Sequence, residues 1–179
     1  DIQVEWSMNL VFDIETDGLL HDVTQIHCIV IHDTETDTTL TYNDQGTTDP
    51  IVRAINYLAQ ADQIVGHNII NYDIPVIRKL YPFFEPEGEI IDTLILSRLY
   101  HPDMMELDKR HNWRNMPLQL YGRHSLESYG YRLGEYKGSF GKTTDWKEWS
   151  QEMQDYCVQD VIVTTNLCIH FQPYLNGSR

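Results

Sequence analysis

Asp13 and Glu15 stand two residues apart at the close of the apolar run Asn9-Leu10-Val11-Phe12-Asp13-Ile14. In an extended strand residues i and i+2 share a face, so both carboxylates project to one side. Two anions at the end of a buried strand are unfavourable unless a cation lies between them; the plain alternative is that both turn into solvent. A second cluster, Gly66-His67-Asn68-Ile69-Ile70-Asn71-Tyr72-Asp73, falls at an expected strand-to-helix junction. Asn68 and Asp73 could both face a cleft outside the carboxyl end of that strand, where open α/β sheets bind ligands. An ordinary helix cap from Asn68 or Asn71 explains the same residues. The third cluster, Tyr156-Cys157-Val158-Gln159-Asp160, sets a phenol and a carboxylate one helical turn apart, as a surface hydrogen-bonded pair would also be.

The hydrophobic pattern predicts the scaffold that must position them. Asn9 to Ile14 reads as a buried strand, Ile26 to Ile31 as a second after the turn at Asp17-Gly18, and Thr38 to Tyr42 as a third. Their short joins predict an antiparallel meander. Asp49-Pro50 predicts an N-cap and first helical residue for a helix that carries Ile51, Ala54, Ile55 and Leu58 and ends near Gln60. Gln63 to Gly66 reads as a strand, Asn71 to Tyr81 as a helix with Pro75 near its start, Glu89 to Ile91 as a strand, and Asp92 as the cap of a helix through Leu99. Strands alternating with helices predict parallel pairing under a helical cover, so the expected class is α/β with a mixed central sheet flanked by helices. His101 to Arg123 shows no periodicity and reads as a long loop carrying Lys109, Arg110, His111, Arg114 and Arg123. Ser125 to Tyr129 reads as a short helix ended by Gly130. Beyond the glycine-rich stretch Gly134 to Gly141, Ser150 caps a last helix to about Phe171.

Composition narrows the function classes. With 179 residues and 41% hydrophobic content the chain can bury one core, and a single domain over residues 8–174 is expected; Asp1 to Ser7 fit no element and read as a remnant or flexible arm. The net charge of −14 argues against a protein that coats polyanions through lysine and arginine. No apolar run reaches the roughly 20 residues of a membrane span, and the amino terminus lacks an export pattern. Cys28, Cys157 and Cys168 show no CxxC spacing and sit among apolar neighbours, so a reducing, cytoplasmic interior, bacterial or phage-infected, is expected.

Each cluster is ambiguous alone, but together they supply four acids and one phenol in the order Asp-x-Glu, Asn-x3-Tyr-Asp, Tyr-x3-Asp. That set resembles the three motifs of the DEDD superfamily of 3′-to-5′ exonucleases, DnaQ-like and ribonuclease H-like, in the tyrosine-bearing branch that includes proofreading domains of DNA polymerases. Asp155 occupies the position where the sister branch carries histidine. Phe12 to Leu20, Ile91 to Leu99 and His124 to Gly134 extend the likeness to the exonuclease domain of phage-type family A DNA polymerases, from about Met8 to about Tyr174. The thumb, fingers and palm of such a polymerase have no counterpart here, so an excised domain or a free-standing nuclease is expected.

The resemblance implies a ribonuclease H-like fold and two-metal hydrolysis of phosphodiesters. Oxygen donors without a His/Cys cluster point to Mg²⁺ or Mn²⁺. By the family's pattern Asp13 bridges both ions, Glu15 and Asp160 complete the ion that binds the attacking water, Asp73 acts through water around the other, and Tyr156 orients the nucleophile. Thr16 and Leu19 would touch the terminal nucleotide, Leu19 as an apolar wedge, with His67 and Asn68 lining the same pocket. Stacking on Tyr129, Tyr131, Tyr136 or Phe140 would offset the acidity. The remaining histidines, His21, His27, His32, His101, His111 and His170, lack partner spacing and read as structural or surface residues. The expected activity is a monomeric 3′-5′ exonuclease on single-stranded DNA ends, serving proofreading beside a DNA polymerase module. The alternatives are an exoribonuclease of ribonuclease D type and a non-catalytic binding domain.

Overall fold

Strand β1 (Asn9–Thr16) alternates Leu10, Phe12 and Ile14 with Val11, Asp13 and Glu15, so one face is wholly apolar and the other turns from apolar to acidic along its length. The computed structural model describes residues 8–135 and 145–179; the expected arm before Met8, and Tyr136 and Phe140, lie outside the described residues. β2 (Ile26–Asp33) pairs antiparallel with β1, and β3 (Thr38–Asn43) antiparallel with β2. β4 (Gln63–Gly66) and β5 (Glu89–Asp92) add in parallel on the other side, giving the order β3-β2-β1-β4-β5. This is the expected mixed sheet.

Helices cover both faces. Leu10, Phe12 and Ile14 pack against α1 (Ile51–Gln60) and α2 (Ile74–Leu80), and the buried residues of α1 are the four its spacing predicts, Ile51, Ala54, Ile55 and Leu58. The cap of α1 differs from expectation: Pro50 takes the N-cap position, and the Ile51 amide donates to Asp44 Oδ1 at 3.0 Å, leaving Asp49 to pair with Arg53. The opposite face, Val11, Cys28, Val30 and Val65, lies under Cys157 and Val161 of α6 (Gln151–Leu175). Each such aliphatic side chain contributes about 1.5–3 kcal/mol on burial. Among the described residues no helix is long and apolar enough to cross a membrane.

Three further expectations differ from the structure. After α3 (Thr93–Tyr100) the supposed loop contains α4 (Met104–His111) and a 3₁₀ turn at Leu118–Leu120. The core-facing residues of α4 are Met104 and Asp108, and an acid at a buried position erases the apolar stripe. Asp108 tolerates burial because Arg132 grips it bidentately at 2.9 and 2.6 Å, with the Trp113 indole and the Gly122 amide also donating. Next, α5 (Leu126–Arg132) runs through Gly130; the glycine that follows its end with a left-handed backbone is Gly134. Finally, α6 continues past Phe171 to Leu175 with Pro173 inside it.

Candidate active site

The acidic half of β1 lies beneath the first turns of α6. Ser150 caps that helix by accepting the Met153 amide, and Gln154 Oε1 accepts hydrogen bonds from Asn43 Nδ2 of β3 at 2.6 Å and from the Trp149 indole. These anchors fix the rotation of α6. Met153, Cys157 and Val161 then face the sheet, and Tyr156 and Asp160 flank them beside Asp13 and Glu15.

Asp73 arrives from β4 by a backbone detour. Asn68 takes a left-handed conformation, φ 63°, and residues Ile69–Asp73 form a π-turn closed by the Ile74 amide on the Ile69 carbonyl. The buried Asp92 carboxylate clamps this detour by accepting the amides of Asn68 at 2.8 Å, Ile70 at 3.0 Å and Leu94 at 2.9 Å. Single π-turns recur where a side chain must be re-aimed at a functional site. Gly66 fits the start closely, because a Cβ there would stand 2.3 Å from Ile69 Cγ2 and 3.1 Å from the Phe12 carbonyl oxygen. Gly66→Ala is expected to lower unfolding free energy by about 1–3 kcal/mol, the range for overpacking. Urea denaturation measures it, and an unchanged midpoint would show that Ile69 can yield.

The carboxylates converge. Donor atoms of Asp13, Glu15 and Cys157 lie within 4.8 Å of one another. Asp13 and Asp160 are hydrogen-bonded, and Asp73 faces the charge of Asp13. Burial raises the Asp13 carboxyl from 3.8 to about 6. Glu15, Asp73 and Asp160 are held well above the carboxylate range, by burial first and by neighbouring carboxylates second. Without a cation Asp160 therefore keeps a proton and donates it to Asp13. Asp73 Oδ2 is enclosed and has no hydrogen-bond partner. An orphaned buried carboxylate oxygen in a ring of acids fits a divalent cation, and oxygen donors suit Mg²⁺ or Mn²⁺. Burial, then the charges of Asp160 and Glu15, push the Tyr156 phenol up, so it stays protonated.

The expected substrate residues separate into two groups. Thr16 and Leu19 line a cleft of about 380 Å³ whose wall includes Glu15. Leu19 is 67% exposed, and Thr16 Oγ1 hydrogen-bonds the Tyr72 hydroxyl at 2.5 Å. Tyr72 and Trp146 line the same cleft; Tyr72 stood inside the second motif without a role, and Trp146 had no periodic signal. His67 is placed differently, with both ring nitrogens engaged at 2.8 Å, by Thr93 Oγ1 and by the His124 carbonyl. Burial lowers its pKa to about 4, so a neutral ring donates from Nε2 to that carbonyl and braces the β4 end. Asn68 contributes through its backbone amide to the Asp92 clamp. Tyr129 is 3% exposed and bonded to Ser97, which removes it as a stacking platform. His101 and His170 meet Nε2 to Nε2 at 2.8 Å beside Phe171 and Tyr174, in keeping with a packing role.

A profile described as RNase H superfamily matches residues 10–172, nearly the whole chain. The chain belongs to the RNase H superfamily. Within it, the DNA-directed DNA polymerase of Escherichia phage T7 is 36% identical over 182 residues, covering 88% of this chain and 26% of the polymerase. The counterpart from Enterobacteria phage T3 is 35% identical with the same coverage, so this RNase H-like chain spans about a quarter of the curated relatives it matches. In structure, Brucella melitensis NrnC with bound Mg²⁺ superposes with a TM-score of 0.61 at 18% identity, covering 99% of this chain and 78% of that one. E. coli exonuclease I in complex with a dT13 oligonucleotide gives 0.61 at 15% identity, covering 97% and 43%. The likeness of these neighbours is one of fold, and the RNase H-type site has the make-up of a nuclease.

Proposed function

We propose that the chain is a metal-dependent 3′-5′ exonuclease that degrades single-stranded DNA to nucleoside 5′-monophosphates and proofreads for a DNA polymerase module. The observation that carries this reading is the convergence of Asp13, Glu15, Asp73 and Asp160, with Asp73 Oδ2 buried and unpartnered, beside the open cleft of Thr16 and Leu19. The DNA polymerase identity of the phage relatives favours DNA over RNA. Divalent cations, Mg²⁺ or Mn²⁺, held by the four acids would supply an activated water and offset the charge of the phosphodiester. The chain's own residues position the rest. Tyr156, kept protonated, holds the nucleophilic water through its hydroxyl; Leu19 presses on the terminal base; Thr16, fixed by Tyr72, meets the terminal sugar and phosphate.

Matched DNA and RNA oligomers labelled at the 5′ end, digested with Mg²⁺, Mn²⁺ or EDTA, test the reading. DNA should shorten stepwise from its 3′ end in either metal, slow on blunt duplex, and stay intact in EDTA. Cleavage of a circular single strand at a comparable rate overturns the exonuclease assignment, and preferential digestion of RNA transfers it to the ribonuclease D type. Tyr156→Phe should reduce turnover by about 10²-fold, within the range for proton-positioning groups. Unchanged steady-state cleavage would reduce Tyr156 to packing.

A further inference from the structure

We propose that the Trp146 indole is the wall on which the unpaired terminal base of a 3′ end stacks, and that His27 is a positioning residue that holds it in place. The inference rests on the nuclease reading and deepens it, by naming what in the cleft takes up a base. Among the described residues that line the cleft are two acids, Glu15 and Asp17, and no lysine or arginine, so a nucleotide seated there gains nothing from cationic side chains. A hold that works on any base must then come from ring stacking. Tyr129 is too buried to supply it, and Tyr72 is tied down by its hydroxyl, which donates to the Gly18 carbonyl at 2.5 Å. Trp146 is half-buried at the edge of the cleft, in the turn ahead of the α6 cap Ser150.

A second observation explains how that turn is held. Strands β1 and β2 pair Glu15 with Cys28 and Thr16 with Ile26, so His27 is the extra residue of a β-bulge. Strict alternation would place His27 in the core with Ile29 and Ile31; the bulge puts Ile26 there instead and frees the imidazole. That residue is 4% exposed, and its Nε2 donates to the Trp146 carbonyl at 2.7 Å. Gln25 Nε2 donates to the next carbonyl, that of Lys147, at 3.3 Å. Bulges recur beside active sites, where they re-aim a side chain, and the one re-aimed here grips the backbone of the Trp146 turn. β2 and β4 flank β1, so Trp146, tied to β2, and Tyr72, on the turn that follows β4, reach the cleft from opposite sides. A base admitted between them meets Thr16 and Leu19 at the end of β1; a base still paired in a duplex cannot enter, so the wall favours frayed ends.

The test titrates the full chain in Mg²⁺ with thymidine 5′-monophosphate, read by tryptophan fluorescence, and compares digestion of an oligomer ending in thymidine with one ending in an abasic sugar. Binding should quench the parent and Trp113→Phe, and the quench should vanish in Trp146→Phe, whose ring keeps most of the affinity. Trp146→Ala should raise KM on the thymidine end by about 10- to 100-fold with kcat little changed, as expected for loss of one base stack, and the parent's preference for that end over the abasic one should shrink. His27→Phe fills the space without the donor and should raise KM in the same direction by less; His27→Gln restores an N–H and should return toward the parent. A quench that persists in Trp146→Phe overturns the proposal, and this result decides the matter if Trp146→Ala fails to fold. So does a Trp146→Ala chain that keeps both the parent's KM and its preference for the thymidine end, and an unaltered KM in folded His27→Phe overturns the role of His27. The two readings separate: a chain that binds the monophosphate through Trp146 yet never cleaves DNA loses the nuclease assignment alone, and one that cleaves equally well without the indole loses only the stacking wall.

Discussion

Asp13→Ala and Asp160→Ala are each expected to abolish digestion of a single-stranded 3′ end, lowering turnover on the order of 10³-fold or more. Metal-borne stabilisation of phosphoryl chemistry is worth several kcal/mol, and each 1.36 kcal/mol is a factor of about ten. Asp13 is bonded to Asp160, adjoins Glu15 and faces Asp73, so no other side chain can replace its position among the acids. The fold should survive both changes, because each removes a carboxyl group whose ionised form burial and neighbours already disfavour. Single-turnover cleavage of a 5′-labelled oligomer with saturating Mg²⁺ measures the effect, alongside a thermal melt in chelator. Turnover within about tenfold of the parent in either folded variant would remove that residue from the metal-binding set.

The elements that position this site were legible wherever burial follows a simple period. The alternation Leu10-Val11-Phe12-Asp13-Ile14-Glu15 assigned the strand and put both acids on one face, and the i, i+3, i+4, i+7 spacing of Ile51, Ala54, Ile55 and Leu58 marked α1. Legibility fails where a buried position is polar and its partner is distant. Asp108 hides α4 because its counter-charge, Arg132, lies 24 residues away. His67 looked like a pocket residue because nothing local shows that Thr93 and the His124 carbonyl take both its nitrogens. The π-turn depends on Asp92, also 24 residues from Asn68, whose carboxylate stands in for backbone partners. Cys157 read as core filler, which its burial supports; its approach to Asp13 is a helix-to-strand contact across 144 residues that no spacing rule reaches.

The convergence that makes the site useful should also weaken the metal-free protein, and Asp13→Asn is expected to expose this by stabilising the chain in EDTA. Asp13 titrates near 3.8 without its surroundings and near 6 in the folded chain, so between those values the folded state holds more protons than the unfolded. By linkage, stability falls as pH rises through that window, and the destabilisation is complete above it. The shift from 3.8 to about 6 corresponds to on the order of 3 kcal/mol. Glu15, Asp73 and Asp160 are raised too, by burial first, so they act in the same direction. Asparagine keeps the shape of Asp13 without its charge. The variant should therefore melt higher than the parent in EDTA at pH 7 to 8, with the gap closing toward about pH 4. Added Mg²⁺ reverses the order: a cation present at about 100 times its dissociation constant stabilises the parent by about 2.7 kcal/mol, and the variant, short of one ligand charge, should gain much less. Eight melting curves, parent and variant in EDTA and in Mg²⁺ at low and at neutral pH, make the comparison. A variant that is less stable than the parent in EDTA at neutral pH, yet gains as much from Mg²⁺, would mean that these carboxylates neither repel one another nor share a cation.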